Sequence, residues 1–195
     1  MPKIVDHDSR RRELAQAAIR VIARHGFEGA TMQTLGRESG WSTGVLKHYF
    51  VDKDDILSHA LRELQRVNAE RLSLADGEVT GYAALRSAIG AILDNEPDHS
   101  KVWIAFIARA MTDKKTASEM RRGTRAWIRR WADLVRRGQR DGSIQADRDP
   151  EQVAAALHAL VSGLRIDALF RTTHGDVGDT LALLDVEAPA FDRNE

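Results

Sequence analysis

The sequence predicts an all-α protein of about nine helices, with a three-helix head at the N-terminus and a larger helical domain after it. Three observations carry this. Apolar residues recur at helical spacing in almost every segment, and no stretch alternates as a strand would. Glycine, proline and hydroxyl caps punctuate those segments at Gly26, Thr31, Gly40, Ser42, Pro97 and Pro150. The stretch from Thr31 to Lys53, TMQTLGRESGWSTGVLKHYFVDK, sets two short capped helices on either side of a glycine turn. A basic and aromatic cluster closes that stretch.

In order, Leu14, Ala18, Val21 and Ile22 form one apolar face of a helix over 9–25, capped by Asp8 or Ser9 and ended by Gly26 in a left-handed conformation. Thr31 caps a helix running to Ser39, and Gly40 makes the turn. Ser42 caps the next helix, which should carry Thr43, Gly44, Lys47 and His48 outward and keep Val45, Leu46 and Tyr49 nearer the core. Asp52 opens a long helix to Leu74, with Asp55 three residues on in the manner of a capping box. Its stripe is Leu57, Ala60, Leu61, Leu64, Val67 and Leu72. After a break at 76–81 comes a helix with Tyr82, Leu85, Ile89 and Ile92. The acidic stretch 94–100 holds Pro97 and reads as a loop. Helices follow with Trp103, Phe106, Ile107 and Ala110, then with Met120, Trp127, Trp131 and Leu134 over about 116–140. Pro150 suits the first turn of a helix near 151–173, and a short helix at about 179–184 precedes an acidic tail.

Composition narrows the class. The 195 residues are 43% hydrophobic, enough for a sizeable core, and contain no cysteine for a disulfide or thiolate metal site. The N-terminus is charged, without an apolar leader, and no run approaches the ~18 apolar residues of a membrane span, so a cytoplasmic protein is expected. Net charge is zero, but residues 1–50 hold 8 Lys and Arg against 5 Asp and Glu, whereas 141–195 hold 4 against 11. The basic excess sits with the helix-turn-helix stretch.

That stretch is a candidate DNA reader, its second helix entering the major groove. Thr43 and Lys47 are the candidate base contacts, with Gly44 allowing close approach. Thr31, at a helix N-terminus that favours an anion, joins His48, Tyr49 and Lys53 as phosphate candidates, and Ser42 caps the reading helix. Each has an ordinary structural alternative: Thr31 as a cap alone, Tyr49 as partly core, Lys53 as a solvated lysine.

The pieces RRRELAQAAIRVIARHGFEGAT, S-T-G-x-x-x-x-Y-F from Ser42 to Phe50 and D-K-D-D-I-L resemble the DNA-binding head of the TetR family of bacterial repressors. The resemblance implies a DNA-binding domain over 1–50 and a ligand-binding and dimerisation domain over 51–195. KVWIAFIARAM and ALHALVSGLRIDALF are similar to the choline-responsive BetI-type subgroup. Departures are Gly36 where alanine is commoner, Trp41 where a small aliphatic residue is commoner, and Arg165 where that subgroup tends to carry tryptophan. Gly36 should weaken its helix by ~1 kcal/mol relative to alanine.

In the C-terminal domain, Trp103, Phe106, Trp127, Trp131 and Phe170, with Tyr82, offer either an aromatic cage for a cation or ordinary core. Asp94, Glu96 and Asp98 could balance a cation, whereas Arg165 would repel a quaternary ammonium and suit a carboxylate, so the effector's sign stays open. Residues 109–140 hold 11 basic residues against 3 acidic, with Arg121, Arg125 and Arg129 on one face, either a solvated face paired with the acidic C-terminal region or a second nucleic-acid surface. The small-residue stripe Ala155, Ala159, Ser162 and Gly163 marks a candidate two-fold interface.

The expected function is a ligand-responsive homodimeric repressor on a pseudo-palindromic DNA operator, with the helix from Asp52 as its lever. The alternative is a helical small-molecule carrier or architectural dimer. No catalytic or phosphate-loop motif is present, and the seven histidines lack metal-ligand spacing, so no enzyme, cofactor or metal is called for.

Overall fold

The computed structural model describes residues 7–73, 77–93, 97–170 and 181–182. Among these it holds eight helices and no strand: α1 (His7–Gly29), α2 (Met32–Ser39), α3 (Thr43–Leu46), α4 (Lys53–Ser73), α5 (Gly81–Leu93), α6 (Pro97–Ala110), α7 (Lys114–Asp141) and α8 (Pro150–Phe170). They sort into two compact units, Met1–Val67 with Glu96–Met120, and Asn68–Asn95 with Arg121–Glu195. The chains of α4 and α7 contribute to both.

In the first unit, α1 buries Leu14, Ala17, Ala18, Val21 and Ile22, the face expected from helical periodicity. Gly26 breaks the helix at φ 65°, a value that costs glycine little, and one further turn ends at Gly29. Ile56, Leu57, Ala60, Leu61 and Leu64 of α4 complete the cluster with Val102 and Phe106 of α6. The Phe27 and Phe106 rings meet edge to face with centroids 5.0 Å apart. Truncating one such core side chain to alanine should cost about 2–5 kcal/mol. Glu63, buried in α4, accepts from Gln16 Nε2 at 3.0 Å and from Arg66 Nη2 at 2.8 Å. Burial alone would raise its carboxyl, but Arg66, Gln16 and Arg12 outweigh that and hold it below its ordinary value.

In the second unit, Leu85, Ala88, Ile89, Trp131, Leu134, Val135, Leu157 and Val161 share the buried cluster. Helices α5 and α7 meet backbone to backbone: a Cβ on Gly81 would stand 2.0 Å from the Gly138 nitrogen. The Asp141 carboxylate accepts from Gly81 N at 2.7 Å and so caps α5 from the end of α7.

Four expectations are revised. α3 has only four helical residues, and Lys47, His48 and Tyr49 continue it as a turn, with His48 N donating to Val45 O and Tyr49 N to Leu46 O. Val45 is consequently exposed rather than near the core. Pro97 opens α6 instead of lying in a loop, which its missing N–H permits. By length and composition α8 is apolar enough to cross a membrane, contrary to the expectation that no segment would be. Of the expected last helix only Leu181 and Ala182 are described. They are helical, and Leu181 is buried in the second cluster.

Candidate nucleic-acid interface

Two hydroxyl caps and one left-handed glycine shape the head. The Thr31 hydroxyl accepts from Thr34 N at 3.2 Å while Thr34 Oγ1 accepts from Thr31 N at 3.0 Å, a reciprocal box that starts α2. The first-turn N–H groups of Met32 and Gln33 have no acceptor within the helix by α-helical geometry, so an anion is favoured there. Gly40, at φ 76°, ψ 10°, donates to Gly36 O and turns the chain. The Ser42 hydroxyl then accepts from Val45 N at 3.3 Å and starts α3.

The turn therefore exposes Ser42, Thr43, Gly44, Lys47 and His48 to solvent. Tyr49, expected as a phosphate contact, is instead nearly buried at 8% exposure. Its ring lies edge-on to Trp41 with centroids 5.8 Å apart and near His7 at 5.9 Å. Asp52 and Asp55 make a variant of the expected box: Asp55 N donates to Asp52 Oδ1 at 2.8 Å, but the return bond to Asp55 Oδ2, at 3.1 Å, comes from Val51 N, one residue before the cap. That box fixes Lys53 as the first residue of α4, where its Nζ reaches Glu28 Oε2 at 3.1 Å. The Glu28 side chain is 96% exposed, so solvent screens the pair and a phosphate can compete for the lysine.

Two features were not foreseen. The Arg10 guanidinium lies 5.1 Å above the Trp41 ring, which adds a cation beside the turn. Arg20 and Arg24 both pair with Glu38, at 2.6 and 3.0 Å, and bind α2 to α1. The basic run Arg10–Arg12 was legible, but nothing in the sequence tied Arg10 to a tryptophan 31 residues on.

The C-terminal candidates divide between the units. Trp103 packs half-buried against the first cluster, and Phe106 is fully buried within it. Trp131 is buried in the second, with Trp127 packed on it at a centroid distance of 6.3 Å. The four rings thus belong to two different clusters. Arg165 is buried, whereas Phe170 is 71% exposed and points to an outer face of α8. Ala155, Ala159 and Gly163 are exposed and Ser162 half-buried. Asp98 pairs with Lys101 at 3.3 Å, while Asp94 and Glu96 lie outside the described residues. Among the described residues no group of three His, Asp or Glu is placed to hold a metal ion.

Residues 14–75 match the family of bacterial regulatory proteins of the tetR type, and 82–189 match the C-terminal part of BetI-type transcriptional repressors. The chain belongs to the TetR family. As a TetR-family protein it is a transcriptional regulator and not an enzyme, and its C-terminal part is of the BetI type. It is 30% identical over 175 residues to the transcriptional regulator PksA of Bacillus subtilis, covering 87% of this chain and 83% of that one. It is 31% identical over 132 residues to the regulator BetI of Burkholderia mallei, covering 64% and 67% of the two. A candidate transcriptional regulator from Saccharomonospora viridis in complex with choline superposes with a TM-score of 0.79 at 23% identity, over 93% of this chain and all of that one. A TetR regulator from Haloarcula marismortui gives 0.74 at 21% identity, over 90% and 92%. At these identities the likeness to the two structures is one of fold.

Proposed function

We propose that this TetR-family regulator acts in the cytoplasm as a homodimeric repressor on a pseudo-palindromic operator and is modulated by a small-molecule effector. The observation that carries the reading is the solvent-facing turn of Thr43, Gly44, Lys47 and His48, flanked by the capped starts of α2 and α4. Thr43 and Lys47 read base edges. His48, Lys53 and the N-terminus of α2 at Thr31 hold phosphates, with Tyr49 buttressing the turn from behind and Ser42 capping it. The functional boundary lies at residue 50: 1–50 binds DNA, and 51–195 binds effector and partner.

The second copy docks on α8. This helix has a mean hydropathy of 1.5 over its most apolar window, yet only 28% of that window is buried. Ala155, Ala159 and Gly163 are exposed on it and Ser162 half-exposed, so another helix can approach closely; Ile166 and Phe170 extend the apolar surface. Buried Arg165 makes α8 a poor lipid-spanning segment and favours a protein partner. Two heads then address major grooves about one turn, ~34 Å, or a multiple of it apart. An effector with ~1–3 kcal/mol preference between head spacings suffices as a switch, and α4, whose chain belongs to both units, is its lever.

A gel-shift with DNA from upstream of the protein's own reading frame tests this. A sequence-specific shift is expected, altered by effector. Equal affinity for that DNA and for random duplex would refute it.

A further inference from the structure

A groove of about 290 Å³ runs between α1 and α4 in the first unit. Arg11 and Arg12 of α1 line it from one helix, Arg62 and Arg66 of α4 from the other. Helical spacing brings them there: Arg62 and Arg66 stand one turn apart, so both point to the same side of α4. Ala15, one turn after Arg11, is buried at the groove with a side chain too short to fill it. The volume is at the small end of ligand-sized clefts and admits a small metabolite.

The charge in the groove is unbalanced. Its carboxylates are Asp8, 4.0 Å from Arg11, and Glu63, which accepts from Arg66 Nη2 at 2.8 Å and from Gln16 Nε2 at 3.0 Å. Burial raises the Glu63 carboxyl, but Arg66, Gln16 and Arg12 outweigh it, so Glu63 is ionised and already engaged. Four guanidiniums therefore meet two carboxylates. Among the described residues Arg12 makes no hydrogen bond and bears on Glu63 only as a nearby charge. Arg62 makes one, from Nη2 with His59 Nδ1 at 3.0 Å. A guanidinium carries five N–H donors, so most of those on Arg12 and Arg62 remain available to a ligand.

We propose that this groove binds a small phosphate-bearing anion, a phosphate monoester or a diphosphate, held between Arg12 of α1 and Arg62 of α4. A planar carboxylate is satisfied by one guanidinium fork, whereas a tetrahedral phosphate has oxygens for forks from both helices. Its charge of about −2 near pH 7 matches the excess of guanidiniums over carboxylates. The DNA backbone is a poorer occupant. Arg62 and Arg66 lie roughly 14 and 20 Å along α4 from Lys53, the end proposed to hold an operator phosphate. A concave site also suits a free molecule better than one phosphate of a duplex. This ligand is additional to the effector proposed for the C-terminal part.

The test titrates the full-length protein with sodium pyrophosphate, inorganic phosphate and acetate at constant ionic strength, followed by calorimetry and melting temperature. Pyrophosphate should bind saturably and raise the Tm, phosphate should bind more weakly, and acetate should not bind. Arg12→Gln and Arg62→Gln should each weaken pyrophosphate binding at least tenfold. Both side chains are exposed, so the circular dichroism spectrum should stay unchanged. Arg122→Gln, exposed on α7, should leave the affinity unaltered. Acetate binding as tightly as pyrophosphate, affinity undiminished in both groove variants, or an equal loss in Arg122→Gln would overturn the assignment. Absence of pyrophosphate binding would overturn it too, and groove variants that then weakened operator binding would give the groove to the DNA backbone.

Discussion

Arg109 Nη2 donates to Asp54 Oδ1 at 2.8 Å, which ties the last turn of α6 to the first turn of α4, one residue beyond Lys53. The same guanidinium lies 5.6 Å from the Phe27 ring of α1, and its Nε is buried without a hydrogen-bond partner. One side chain therefore joins three helices of the first unit next to the end of α4 proposed to hold a phosphate. Asp54 is two-thirds exposed, so the ion pair by itself is worth well under 1 kcal/mol. The contact with Phe27 and the packing of the stem add to it. Arg109→Ala should lower stability by about 1–2 kcal/mol. It should also weaken operator binding, because α4 loses a fixed start. Calorimetric melting and a DNA titration on the same preparation check both, and unchanged DNA affinity would show that α4 needs no support from α6.

Gly36→Ala sets helix propensity against packing. Alanine should gain ~1 kcal/mol within α2. Its Cβ, however, would stand 2.8 Å from the Trp41 carbonyl oxygen and 3.7 Å from Leu46 Cδ1. Backbone must then shift at the turn, at a cost of about 1–3 kcal/mol. The expected outcome is a net loss of stability, read as a lower Tm, with weaker operator binding. A higher Tm would show that the turn relaxes freely.

Gly36 also marks where sequence reasoning stopped. Caps at Thr31, Ser42 and Asp52 and the turn at Gly40 were legible because each is a local hydrogen bond between residues a few positions apart. The apolar faces of α1 and α4 were legible from their period. Gly36 read as a local weakness because its reason, the Trp41 carbonyl, appears only when the turn is folded. Trp103 and Trp127 look alike in sequence for the same reason. Which cluster a ring joins depends on how helices distant in the chain assemble, and their spacing does not encode that.

Lys47 and Lys53 should separate on DNA. Lys47 sits exposed on the turn, so Lys47→Ala should narrow the gap between operator and random duplex. Lys53 faces Glu28, so Lys53→Ala should weaken both duplexes alike and reduce the salt slope by about one. Glu28→Gln, which frees the lysine and removes a negative charge, should instead tighten binding to both a few-fold. Fluorescence anisotropy across a salt series measures all three, and equal loss on both duplexes for Lys47→Ala would remove it from base reading.

The proposed α8 interface can be probed without disturbing the protomer's core. A Cβ added at Gly163 meets nothing within 4 Å, and the glycine is exposed, so a larger side chain there has room in a single chain. Against a second copy of α8 the same side chain would fill the groove that lets two helices approach. Gly163→Leu should therefore keep the far-ultraviolet helical signal and gain slightly in helix propensity, while the assembly falls from dimer to monomer. Operator binding should fall with it, because a single head contributes only one half-site. Light scattering at micromolar concentration, paired with circular dichroism, gives the answer. A Gly163→Leu dimer of unchanged affinity would place the partner on another face.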